Sequence, residues 1–201
     1  MIVLCSNGLS GEMLLSQLRG KMADCEKAAL VITADNEYKE KNYHVPRCVA
    51  ELEALGLGVE LFDLDRQPAE LLSEYDVVEF IGGNPYYLLD SIRKNHAATI
   101  LEEIARTKIL IGWSAAAFVF GPTLELVNSY SPEMNFLGLT DLRGIALTEV
   151  QVLPHYSRFL SRFEGFEETC RVYEEEHHVQ VIRINDGDGV IMDGEISVCK
   201  S

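Results

Sequence analysis

Lys108-Ile-Leu-Ile-Gly-Trp-Ser-Ala-Ala-Ala117 joins an apolar run of strand length to the start of a helix. Ile109 to Ile111 reads as strand, Gly112 closes it, Ser114 follows, and three alanines open a helix. A serine at so sharp a turn exposes its Oγ and faces the positive end of the helix. A serine there also suits a plain cap, its Oγ accepting from the first helical N–H groups. The next strand-like run ends in Val152-Leu153-Pro154-His155, which offers an imidazole base. Gly82-Gly83-Asn84 ends another and offers backbone donors. Serine, base and oxyanion donors are the parts of a covalent acyl-transfer site.

Working outward, strand-like runs alternate with helical patterns. Ile2 to Cys5, Ala28 to Thr33, Val59 to Leu64, Val77 to Ile81 and Ile109 to Ile111 read as strands. Gly11 to Met22, the segment from Pro46 to Gly56, a short piece after Pro68, and Tyr87 to Arg106 with a break near Asn95 read as helices. This order predicts an α/β fold with a mostly parallel sheet and helices on both faces. Ligands on such sheets bind at the carboxyl ends of strands, where the Gly82 turn and Ser114 both fall. In the last third, Ala146 to Leu153 reads as a strand and Phe159 to Glu176 as one long helix. Short strands follow, split at Asn185-Asp186-Gly187 and Asp193-Gly194, two turns that suit hairpins. With no repeat, low-complexity run or linker, residues 1–201 read as one domain.

Composition narrows the function. The 32 acidic and 17 basic residues leave a net charge of −15, which repels phosphate backbones and anionic lipid. Nucleic acid and membrane are therefore not expected as partners, and no run approaches the length of a membrane span. The start lacks a signal-peptide pattern, and the five cysteines are odd in number and widely spaced. Both point to reduced thiols in the cytoplasm. Of the five histidines, His44 and His96 fall in or beside surface helices, and His177 and His178 follow an acidic helix end. His155 alone follows a buried-type strand. No second His or Cys stands at ligand spacing, so neither a metal nor a cofactor is expected.

Ile81-Gly82-Gly83-Asn84 with Leu88-Leu89, Gly112-Trp113-Ser114-Ala115, Gly121-Pro122-Thr123 and Pro154-His155-Tyr156 occur in one order along the chain. Together they resemble the peptidase E (α-aspartyl dipeptidase) family of serine peptidases. The resemblance implies a glutamine-amidotransferase-like fold, Ser114 as nucleophile and His155 as its base. It places the oxyanion hole on the backbone of Gly82 or Gly83 and of Ala115. Three positions depart from the family: Ile81 and Ala116 replace glycines, and Ser129 replaces the acid of an Asn-Asp pair. The sequence therefore predicts a small peptide or amide substrate not restricted to aspartyl peptides. With Ser129 unable to orient an imidazole, Asp186 becomes the expected third member, in a turn resembling the family's Glu-Gly turn. Asp188 is its competitor, and a serine–histidine dyad is the remaining option. The same departures keep two other readings open, a catalytically silent binding protein and a non-peptide amidase. Oligomeric state is left open.

Overall fold

Buried apolar runs make the strands, and their order in the chain differs from their order in the sheet. The computed structural model describes residues 1–201. The strands are β1 (Ile2–Cys5), β2 (Lys27–Val31), β3 (Gly58–Phe62), β4 (Val77–Phe80), β5 (Ile109–Trp113), β6 (Gln151–Leu153), β7 (Val181–Arg183), β8 (Gly189–Asp193) and β9 (Glu195–Cys199). Seven of them form one sheet in the order β3-β2-β4-β5-β1-β8-β9. From β3 to β1 every pairing is parallel; β8 and β9 join antiparallel. The central strands β1, β4 and β5 are buried at every position, as strands covered on both faces must be.

The helices are α1 (Glu12–Lys21), α2 (Val45–Glu53), α3 (Pro85–Lys94), α4 (Ala98–Thr107), α5 (Ala115–Phe120), α6 (Glu125–Tyr130), α7 (Tyr156–Arg162) and α8 (Phe166–His177). One core packs Leu14, Leu18, Cys48 and Leu52 of α1 and α2 against one face of the sheet. The larger core packs α3, α4, α5, α6 and α8 against the other. Local chemistry sets the key boundaries. Asn84 caps α3 by accepting the N–H groups of Tyr86 and Tyr87 at 2.9 and 3.0 Å, and Pro85 needs no such partner.

The last third differs from its sequence reading in three ways. Phe159 to Glu176 is two helices, because the chain turns at Phe163–Gly165, where Gly165 has φ +67°. Of Ala146 to Leu153, only the last three residues are strand. The Asn185-Asp186-Gly187 turn is not a hairpin. β7 pairs in parallel with β6 in a separate two-stranded sheet, whereas β8 crosses to β1. Only the Asp193-Gly194 turn closes a hairpin, between β8 and β9. The Asp186 loop is thus a crossover between sheets, and it passes over the carboxyl end of β1.

Candidate active site

The carboxyl ends of β1, β4 and β5 lie side by side, and Ser6, the Gly82-Gly83 turn and Ser114 that follow them meet in one place. Ser114 leaves β5 with φ +54° and ψ −109°, a conformation that a residue with a Cβ rarely adopts. It makes no side-chain cap, so its Oγ is free for other contacts. The turn is tight: a Cβ on Gly112 would sit 2.7 Å from the Phe120 ring and 3.1 Å from Cβ of Ala116. The methyl of Ala116 is accommodated there, wholly buried.

Leu153 ends β6, and Pro154 and His155 carry the chain to the start of α7. His155 takes a left-handed backbone, φ +57° and ψ +29°, that turns its ring back toward β5. Its Nε2 lies 3.0 Å from Ser114 Oγ, and its Nδ1 lies 2.6 Å from Asp186 Oδ1. That pairing assigns the proton to Nδ1 and leaves Nε2 as the acceptor of the serine O–H. Burial lowers the His155 pKa from its ordinary 6.5, with Asp186 opposing, so the ring is a neutral base at neutral pH.

Asp186 has three donors, His155, Ser6 and Arg158, all from outside its own loop. Ser6 Oγ donates to Oδ1 at 2.8 Å, and Arg158 donates to Oδ2 at 2.6 Å. Ser6 Oγ also accepts the His155 backbone N–H at 2.9 Å, so one hydroxyl positions both partners. Burial works to raise the Asp186 pKa, but Ser6, His155 and Arg158 together hold it below the usual aspartate value. Asp188 is not brought to the imidazole. It is buried and accepts the N–H groups of Asn185 and Ser201 at 2.9 and 2.8 Å, which locks the loop to the C-terminal residue.

The glycine turn after β4 completes the set. Gly82 and Gly83 pass beside Ser114, where a Cβ on Gly82 would meet the Trp113 ring at 2.7 Å and Ser114 Cβ at 3.0 Å. Gly83 has φ +154°, and a Cβ there would collide with the Ala34 carbonyl. The N–H groups of Gly82, Gly83 and Ala115 make no hydrogen bond to the rest of the chain. Ser129 does not enter this site. Its Oγ donates to Leu126 O at 2.7 Å on α6, and neither cavity beside Ser114 includes it.

Two cavities flank Ser114 and His155. One of about 370 Å³ has walls of Phe118, Val127, Tyr130, Met134 and Phe159, with Arg158 and Arg162 among its polar lining. The other, about 270 Å³, is lined by polar groups, including Asn7, Asn42, His44 and Arg158. Ser6, Arg158 and His44 were not singled out from sequence as site residues. Ser6 carried a signal, as the first residue beyond a strand, and Arg158 stands one helical turn after His155.

The serine, imidazole and carboxylate stand in line at the end of a parallel sheet, and residues 1–198 match the model of peptidase family S51. The chain belongs to peptidase family S51. S51 is a family of serine-type peptidases. An uncharacterised peptidase of Listeria monocytogenes is 29% identical over 136 residues, covering 65% of this chain and 66% of that protein. A peptidase E of Salmonella arizonae is 27% identical over 126 residues, covering 62% of this chain and 51% of that protein. The match thus spans just under two thirds of the first relative and about half of the second. Two crystal structures share the S51 chain's fold. A peptidase E candidate from Listeria monocytogenes has a TM-score of 0.79 at 24% identity, covering 100% of this chain and 98% of its own. A peptidase from an acI-B1 actinobacterium has a TM-score of 0.71 at 16% identity, covering 99% and 90%. No helix of the chain is long and apolar enough to cross a membrane.

Proposed function

We propose that this S51 chain cleaves a dipeptide or other small amide through an acyl-enzyme. The observation that carries the reading is the continuous contact from Asp186 through His155 to Ser114, at 2.6 and 3.0 Å. Ser114 Oγ attacks the carbonyl carbon while His155 Nε2 takes its proton. The charge that develops on the carbonyl oxygen is accepted by the free N–H groups of Gly83 and Ala115, with Gly82 adjacent. His155 returns the proton to the leaving amine. Water then attacks the acyl ester, giving its proton to His155, which passes it to Ser114 Oγ as the acid leaves. Asp186 keeps the Nδ1–H in place and stabilises the imidazolium formed at each step.

The aromatic walls of the larger cavity suit an apolar side chain beside the scissile bond, and the arginines of its lining suit a free carboxylate. No acid or fixed cation arrangement at Ser129 favours aspartate, so neutral dipeptides are the proposed substrates. Five free cysteines fit a reducing, cytoplasmic setting.

A fluorophosphonate probe with intact-mass readout tests the mechanism. Wild-type protein should gain one adduct, and Ser114→Ala none while remaining folded. Turnover in Ser114→Ala should drop by about 10³-fold or more. Folded wild-type protein that takes up no probe and cleaves nothing would leave a silent binding protein. Exclusive cleavage of Asp-Xaa in a dipeptide panel would overturn the substrate reading alone.

A further inference from the structure

The face of the sheet beneath α1 and α2 holds a charged residue in an apolar setting. Glu79, in the middle of β4, is wholly buried. Its partners in register are Leu30 on β2 and Ile111 on β5. Neither of its carboxyl oxygens has a donor within 3.5 Å, and the Trp113 indole N–H, which faces the carboxyl from farther off, offsets its burial only in part. The Trp113 indole N–H, two residues beyond Ile111 and so on the same face of β5, likewise has no acceptor within 3.5 Å. Across the interface, Cys48 Sγ and a Glu51 oxygen on α2 lie within 4.8 Å of the Glu79 carboxyl. Cys5 on β1 is buried in the same core.

Arg47 is the cation of this cluster, and it is already taken. It donates to Glu51 at 2.7 Å, to Asn7 O at 3.0 Å and to Asn7 Oδ1 at 3.1 Å, and its second amino group lies 3.5 Å from His44 Nδ1. Glu51 also accepts the Leu9 N–H at 3.0 Å. One cation therefore serves two acids, and Glu51 holds it. A buried carboxylate with neither cation nor donor is strongly disfavoured, and such a group neutralises itself by keeping its proton.

We infer that Glu79 carries a proton at neutral pH and is a positioning residue for the nucleophile turn, its ionisation disturbing Trp113 and, through it, Gly82 and Ser114. The coupling is one of direct contact. Trp113 immediately precedes Ser114, and its ring lies so close to Gly82 that a single Cβ there would not fit. The same ring meets His44 edge-on at 5.2 Å and has the Arg47 guanidinium 5.7 Å from its centre. When the proton leaves for bulk water, the new charge draws in both the indole N–H and Arg47. Movement of either changes the contacts of the ring with the oxyanion turn.

Burial pushes Glu79 up to about 8, with Glu51 adding to the rise and Arg47 and Trp113 opposing it. The other titratable neighbours are separable. Burial pushes the Cys5 and Cys48 thiols far up, and burial and Arg47 lower His44. The link to Ser114 rests on the acyl-enzyme reading; the proton on Glu79 does not.

Trp113 is the sole tryptophan, so its emission reports on this cluster without substrate. Emission of the folded protein should change as pH rises, with a midpoint near 8. Glu79→Gln, which keeps the shape and removes the titration, should abolish the change, and Ser114→Ala should retain it. Glu51→Gln removes the repulsion and releases Arg47, so it should move the midpoint down; this arm stands even where Glu79→Gln folds poorly. Fluorophosphonate labelling of wild-type protein should slow about tenfold from pH 7 to pH 9, following the loss of the protonated form, and by less than about twofold in Glu79→Gln. Three results would overturn the inference. These are an emission change that persists in folded Glu79→Gln, no change in the folded wild type, or a stoichiometric divalent metal on the Cys48–Glu51–Glu79 cluster whose removal by chelator abolishes the change. A protein that never labels but still shows the Glu79-dependent emission change would refute the serine mechanism and leave the buried proton in place.

Discussion

Asp186 lies in the crossover between β7 and β8, and Glu79 in the middle of β4. Both approach the Ser114 turn, one through His155 and the other through Trp113. Asp186 is 38% exposed at its side chain and has donors from Ser6, His155 and Arg158, which hold it ionised. Glu79 is wholly buried, has no donor within 3.5 Å, and is pushed up to about 8. The two carboxyl groups differ in charge at neutral pH because of their partners and solvent access, not their chemistry. An ionised acid can orient an imidazolium, whereas a neutral one has no charge with which to do so until pH rises.

The largest expected effect separates the two acids. Asp186→Asn should lower kcat by roughly 10²–10⁴-fold, the scale set by loss of the orienting acid, while leaving the pH response of Trp113 emission intact. Asp188→Asn should instead weaken the loop and act on thermal stability more than on kcat. Full activity in folded Asp186→Asn would reduce the site to a dyad. Asp186 also opposes the burial that lowers His155. The acid limb of wild-type activity should thus have its midpoint below 6.5, and Asp186→Asn should move it lower still.

A second effect concerns stability alone. Glu79 has a folded-state pKa raised above its ordinary 4.5. Its contribution is complete below the unfolded-state pKa and is lost as pH rises toward and through about 8. Urea denaturation should therefore show Glu79→Gln gaining on wild type between about pH 5 and pH 8, by on the order of a few kcal/mol. Parallel pH curves for the two proteins would mean that Glu79 is ionised in the fold, and the contrast with Asp186 would collapse.

The smallest effect sharpens the description of Asp186. Arg158 donates to Oδ2 but is well exposed, so its loss is largely compensated by water. Arg158→Gln should change kcat by less than about tenfold. Because Arg158 lowers the His155 pKa, the acid limb in this variant should move to higher pH. A shift to lower pH in the kcat/KM profile would contradict that assignment.

Sequence by itself determined the parallel sheet, the helices on both faces, and the strand-end positions of Ser114 and the Gly82-Gly83 turn. These follow from apolar periodicity and turn chemistry, which act between neighbours in the chain. The break at Gly165 was missed because Phe159, Phe163, Phe166, Cys170 and Tyr173 keep helical spacing across it. Val77-Val-Glu-Phe-Ile81 contained a visible anomaly, a carboxyl in an apolar strand, but nothing local revealed whether it met a cation. Only the tertiary structure decided that Asp186 rather than Asp188 reaches His155, that Ser6 joins both across 149 and 180 positions of chain, and that Glu79 meets Cys48, Glu51 and Trp113. Asp186 and Asp188 are nearly equivalent in local sequence. The crossover of β8 to β1 directs one toward the imidazole and the other inward to backbone N–H groups. Charge state is decided at the same level, because it depends on which distant groups share a buried volume and how little water reaches it.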